Sequence, residues 1–320
     1  GQKEIAIDLE TCDPWLMSHG PGWAFKDRGH VIGIAVATEG YKGYFPIAHA
    51  AGGNLDEDVV RRWLQRLLDA PNAKVFHNAQ YDVGWLRASG YEINGTLHDT
   101  MMAAPLLNEN QHSYSLNNLG KTYLNEEKDE SMLTEAAHAF GINPKSEMYK
   151  LDAKYVGMYA EQDADLTYRL WQTLKEGISK EDVGDIYKLE TTLIPILINM
   201  RRMGVKIDVD KADQVKKQLQ KEENKIIKRW YGVEPDLWAA QSLAQVFDRA
   251  GLDYPKTPKT QAPSFVADWL ENHDHKLPMA IAKARKLNKA RTTFIDKMIL
   301  EHLVDGRIHG ELHPLRSDNG

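Results

Sequence analysis

Glu4-Ile5-Ala6-Ile7-Asp8-Leu9-Glu10 alternates acidic and apolar residues with a period of two, which is the pattern of a strand with one buried face. Successive strand side chains point to opposite faces, so Asp8 and Glu10 project from the same side. Working outward, further strands are predicted over 31–37 and 41–47, with Glu39-Gly40 as the turn between them. Residues 56–68 carry Val59, Val60, Trp63, Leu64 and Leu67 at helical spacing. Lys74-Val75-Phe76-His77 reads as a short buried strand, with a helix beginning near Tyr81. Helices follow over 101–107, 116–124 and 151–174. Three neighbouring strands followed by strand and helix alternation predict an α/β sheet covered by helices.

The pattern changes after about Gly177, and from Val183 onward helices and connectors dominate with no strand core. One apolar helix spans 189–203, with Pro195 as a kink or a break. The turn Gly204-Val205-Lys206-Ile207-Asp208 leads into a lysine-rich helix over 212–230, capped by Asp208 or Asp210. A proline-bearing loop covers 253–264, and a long helix covers 278–300. With 320 residues, the chain suits two domains better than one.

Hydrophobic residues make up 42% and charged residues 27%, the profile of a globular protein and not a disordered one. A single cysteine, Cys12, excludes an internal disulfide framework and a cysteine zinc site, and fits a reducing compartment. No apolar run reaches membrane-spanning length, so no membrane association is expected. The net charge of −6 argues against a uniformly basic coat for nucleic acid, yet an enzyme that grips phosphates through cations needs local acids. The chain opens directly on the strand pattern at Ile5, which reads as a processed or trimmed piece.

Two further patterns join Asp8 and Glu10. Asn78-Ala79-Gln80-Tyr81-Asp82 places an acid at a strand-to-helix junction, and Tyr159-Ala160-Glu161-Gln162-Asp163 sets a phenol and a carboxylate four apart on one helix face. Each alone has a bland reading: a solvated strand face, a helix cap at Asp82, or Asp163 paired with Arg169. Together, four acids in one cleft would repel one another unless cations were present, and hard divalent ions prefer such oxygen ligands. Paired cations roughly 3.5–4 Å apart suit an in-line displacement at phosphorus.

The set Asp8/Glu10, Asn78/Tyr81/Asp82 and Tyr159/Asp163 resembles the three motifs of the DEDD exonuclease superfamily, in its DEDDy branch. The resemblance implies a ribonuclease-H-like fold and removal of nucleotides from 3′ ends with two Mg²⁺ or Mn²⁺ ions. Asp8, Glu10, Asp82 and Asp163 would then be metal ligands, Tyr159 would orient the attacking water, and Thr11, Asn78 and Tyr81 would lie near the terminal nucleotide. The intervening His98-Asp99-Thr100-Met101 and Ser115-Leu116 agree. Gln80 departs from the lysine that bacterial members often carry, and Pro14 from an apolar wedge. Asp165 competes with Asp163, although the spacing from Tyr159 favours the latter.

The second half, through Met203-Gly204-Val205-Lys206-Ile207-Asp208, Pro255-Lys256-Thr257, Thr292-Thr293-Phe294-Ile295-Asp296 and Gly306-Arg307-Ile308-His309, resembles family A DNA polymerases from the approach to the thumb up to the palm. The expected organisation is an exonuclease domain over 1–180 and a mostly helical thumb-like region over 181–320. The chain stops where palm and fingers would begin, so nucleotide addition is not expected of it. Implied partners are a single-stranded 3′ end in the cleft and a primer–template duplex at the thumb, in the cytoplasm of a bacterial or phage-infected cell. Lys283, Arg285, Lys286, Lys289 and Arg291 are candidate phosphate contacts, with a solvated helix face as the alternative. Rival functions are a stand-alone or RNA-trimming exonuclease and a catalytically inactive DNA-binding module.

Overall fold

A computed structural model of the chain describes residues 3–25, 28–231 and 235–314. Contacts divide the chain into two units, Gly1–Gly204 together with His309–Gly320, and Val205–Ile308.

The first unit is built on a five-stranded sheet of order β3-β2-β1-β4-β5, from β1 (Glu4–Cys12), β2 (His30–Thr38), β3 (Tyr41–Pro46), β4 (Ala73–Phe76) and β5 (Leu97–Asp99). The first three strands pair antiparallel, whereas β4 joins β1 and β5 joins β4 in parallel. This mixed sheet, flanked by helices, is the ribonuclease-H-like arrangement expected. Helices α1 (Glu57–Asp69) and α2 (Ala79–Ala88) cross between the parallel strands, and α3 (Thr100–Leu107) follows β5 directly. The α1 stripe buries Val60, Leu64 and Leu68, while Val59 is exposed. Asp56 caps this helix by accepting the Val59 N–H at 2.9 Å.

Next come α4 (Leu116–Leu119), which continues as a π-helical turn through Leu124, α5 (Ser131–Phe140), α6 (Ala153–Lys180) and α7 (Gly184–Met203). The core threads Ala6, Ile7, Leu9, Ile34, Val75, Phe76, Val83 and Leu86 with Ala160, Ala164, Leu170 and Leu174 of α6. Helix α7 runs unbroken through Pro195 and buries Tyr187, Ile194 and Ile198 in the same core. By contacts, α7 therefore groups with the first unit, which runs to Gly204.

The second unit holds α8 (Val209–Tyr231), α9 (Ala240–Ala250), α10 (Ala267–Glu271) and α11 (Lys276–Lys289), the last continuing as a π-helical segment, Ala290–Leu300. Of the two cap candidates, Asp208 does the work, accepting the Lys211 N–H at 2.9 Å. Leu243, Phe247, Phe265, Leu270, Leu277 and Ile281 form a separate core. A two-stranded antiparallel ribbon of β6 (Val205–Lys206) and β7 (Arg307–Ile308) brings the ends of this unit together.

Candidate active site

Strand β1 delivers Asp8 and Glu10 to one face, and its pairing with β2 slips between Glu10 and Thr11, a bulge that re-aims the strand just past the acids. Opposite Glu10 stands Gly33, where an added Cβ would lie 2.1 Å from the Tyr44 hydroxyl, so only glycine lets that ring cross the sheet. Asp82 lies in the first turn of α2 and accepts the Leu9 N–H at 3.2 Å, which ties it to the strand residue between the other two acids. The turn before α2 is held by Asp99. Its carboxylate accepts the N–H groups of Asn78 (3.0 Å), Ala79 (2.8 Å) and Met101 (2.8 Å), and Asn78 itself sits in the left-handed region at φ 66°. Asp163 and Tyr159 come from adjacent turns of α6, whose inner face packs on the sheet.

The acids act on one another electrostatically. Burial pushes the Asp8 carboxyl up to about 7, and the Asp163 charge adds to this while the Lys128 ammonium opposes it. Glu10 is held well above the usual carboxylate range by burial and then by the charges of Asp8 and Asp163. Asp82 is raised by burial and then by Asp8, against the bond from Leu9, with Asp99 and Glu10 adding to the rise. Asp163 is raised by burial, against the charge and hydrogen bond of Lys128. Asp8 and Glu10 thus lie near enough to Asp163 on one side and Asp82 on the other for charge to pass between them. Burial also raises the phenols of Tyr159 and Tyr44, with Glu10 and Asp8 contributing to both, and both stay neutral. Asp165, the competing acid, turns instead to Arg169 at 3.0 Å.

Lys128 is a residue of this site that sequence reasoning missed. Its ammonium lies 2.6 Å from Asp163 Oδ2 and 3.1 Å from the Tyr159 hydroxyl, with the side chain only 8% exposed. The other oxygen, Asp163 Oδ1, is buried with no hydrogen-bond partner. Among the described residues no three His, Cys, Asp or Glu side chains already stand as they would around a metal ion. The donor set still fits a hard divalent cation: it is all oxygen, crowded with like charge, and includes a buried carboxylate oxygen with no partner.

Thr11 and Tyr81 touch through their hydroxyls at 2.7 Å, and Tyr81 donates to Asp13 Oδ2 at 3.0 Å. Asp13, not foreseen, also accepts the Gly22 N–H. Asn78 and Tyr81 line a cleft of about 480 Å³ together with Gln80, Tyr114 and Arg201. In the second unit, the five candidate phosphate contacts divide. Arg285 is turned inward, donating to the carbonyls of Leu237 (2.7 Å) and Phe265 (2.6 Å), so it is a structural tie and not an outward cation. Arg291 pairs with the buried Glu223 at 3.2 Å. Lys283, Lys286 and Lys289 face outward, Lys286 beside Glu271. A second basic groove, not nominated from sequence, is lined by Lys216, Lys217, Lys221 and Lys225 of α8. No helix among the described residues is long and apolar enough to cross a membrane.

Residues 2–179 match a family model described as 3′-5′ exonuclease, that of A-type DNA polymerases. A DNA-directed DNA polymerase of Pseudomonas phage M6 is 34% identical over 331 residues, covering 99% of this chain and 49% of the relative. DNA polymerase I of Pseudomonas aeruginosa is 27% identical over 341 residues, covering 97% and 36%. The chain thus spans half or less of the length of these two relatives. Among solved structures, the POL domain of Pol1 from M. smegmatis, in complex with DNA primer-template and dNTP, superposes with a TM-score of 0.68 at 19% identity. That superposition covers 96% of this chain and 48% of that one, a likeness of fold.

Proposed function

Because the chain belongs to the 3′-5′ exonuclease family of A-type DNA polymerases, we propose that it hydrolyses DNA one nucleotide at a time from the 3′ end. The reaction depends on divalent cations, releases nucleoside 5′-monophosphates, and serves to proofread primer ends within a family A polymerase. One observation carries this reading: Asp8 and Glu10 share a face of β1, Asp82 accepts the N–H of Leu9 between them, and the Asp163 charge on α6 acts on both strand acids.

In this reading Asp8, Glu10, Asp82 and Asp163 would hold Mg²⁺ or Mn²⁺. When bound, such ions supply the positive charge that favours attack of water on phosphorus and departure of the 3′ oxygen. The chain's own contribution is positional. Buried as it is among carboxylates, the Tyr159 phenol keeps its proton, so it serves to orient the incoming water by hydrogen bonding and not as an anionic base. The linked hydroxyls of Thr11 and Tyr81, fixed by Asp13, make a rigid lip for the terminal nucleotide. Unpaired bases cost less to separate from a duplex, so mismatched ends are the preferred substrates. Outward lysines of the second unit, Lys283, Lys286 and Lys289, supply sequence-independent attraction for duplex phosphates.

A 5′-labelled primer–template with a mismatched 3′ end tests the proposal. Mg²⁺ is expected to give stepwise shortening from that end, faster than on a matched primer and abolished by chelator. Equal rates on both primers would remove the proofreading role, and shortening that persists in chelator would remove the metal-dependent one.

A further inference from the structure

We propose that Lys128 is a tethered counter-ion that occupies Asp163 when no divalent cation is bound, yields it when one arrives, and so sets the affinity of the site for metal. The inference rests on the metal-site reading above and extends it to a residue outside the motif set.

Three features place Lys128 there by construction. First, its backbone is fastened: Glu126 pairs bidentately with Arg169 (2.6 and 2.7 Å), the Lys128 N–H donates to Asn117 Oδ1 (2.8 Å), and the Asp129 N–H donates to Gln162 Oε1 (2.9 Å). Residues 126–129 are thereby held to α4 and α6, which leaves the Lys128 side chain as the part free to shift. Second, a buried ammonium is costly unless paired, and here it is paired with an acid that the family resemblance implies as a metal ligand. Third, it has a second seat. Glu130 Oε1, which also pairs with the exposed Lys145 at 3.5 Å, lies 3.7 Å from the ammonium, and the Tyr159 ring face lies 4.3 Å away, which a cation can occupy favourably. A four-carbon stem spans such a shift with no backbone movement.

The consequence is competition. A divalent cation at Asp163 meets the Lys128 charge unless the ammonium withdraws toward Glu130, so metal binding must include that displacement. Metal uptake is weakened accordingly, and the Asp163 carboxylate is spared an unpaired state before the cation arrives. Lys128 is in this sense a positioning residue, acting through Asp163.

Calorimetric titration with Mn²⁺ alone, in the absence of DNA, reads this directly. Lys128→Met is expected to bind Mn²⁺ roughly tenfold more tightly than the unaltered chain, and to melt at lower temperature in chelator. Glu130→Gln, which removes the second seat, is expected to bind Mn²⁺ more weakly, and it decides the matter if Lys128→Met does not fold. Unchanged or weaker Mn²⁺ binding by Lys128→Met, or unchanged binding by Glu130→Gln, overturns the proposal. Asp8→Asn in the same titration separates the two readings. Uptake that survives it, or no uptake by the unaltered chain, sinks the metal-site reading itself, whereas uptake lost there but indifferent to Lys128 sinks only this one.

Discussion

At the scale of single residues, the cleft is a problem of unrelieved charge. Asp8 carries a carboxyl raised to about 7 from an ordinary value of 3.8, so between those limits the folded metal-free chain holds a proton that the unfolded chain has lost. Stability contributed by that proton is present at low pH and is lost as pH rises from about 4 to about 7. Thermal melting in chelator is therefore expected to fall across this window, and Asp8→Asn is expected to flatten the fall. A melting temperature that rises there would contradict the ionisation described. Tyr159→Phe is expected to slow turnover roughly a hundredfold, the lower end of what a positioned proton-handling group contributes, while leaving Mn²⁺ affinity unchanged. An equal loss of metal affinity would show that the hydroxyl holds the cation and not the water.

At the scale of elements, the elbow between β4 and α2 depends on one carboxylate. Asp99 accepts three backbone N–H groups, and its own N–H donates to the Tyr187 hydroxyl at 3.0 Å. Asp99→Ala leaves the buried Ala79 N–H and the half-buried N–H groups of Asn78 and Met101 without this partner, at a cost of roughly 1–3 kcal/mol for a buried donor left unsatisfied. The expected result is a large drop in melting temperature, readable by calorimetry, with Asp82 losing its fixed position; near-normal melting would mean that water or a neighbour replaces the carboxylate. The sequence named His98-Asp99-Thr100-Met101 only by likeness, since an acid before a helix does not announce which distant N–H groups it meets. Strand β1 was legible because its apolar and acidic residues alternate with a period of two. Strand β5 was not, because three residues are too few to show a period. Lys128 was hidden for a different reason: within Glu126-Glu127-Lys128-Asp129-Glu130 it reads as part of a solvated charge run, and only tertiary pairing turns it inward. Arg285 went astray the same way, since helical spacing shows a cation but not the Leu237 and Phe265 carbonyls that claim it.

At the scale of the whole molecule, the second unit leaves and rejoins the first through adjacent strands, Val205 pairing with Ile308 and Lys206 with Arg307. Each unit has its own buried core. Replacing residues 207–306 by a short glycine linker is therefore expected to leave a folded chain that still degrades 3′ ends, with weaker binding to duplex. Loss of folding, seen as an absent cooperative melt, would mean that the first unit depends on the second. The sequence reading put residues 181–204 with the second region, whereas contacts group them with the first. Helix α7 has the apolar spacing of any core helix, and nothing in that spacing says which core it joins. The central claim, that the four acids of one cleft drive hydrolysis at a 3′ end, is met most directly by counting nucleoside 5′-monophosphates released from single-stranded DNA in Mg²⁺. The account predicts that Asp8→Ala cuts that release by roughly a thousandfold, the loss of several kcal/mol of transition-state stabilisation. Undiminished release by the variant would contradict it.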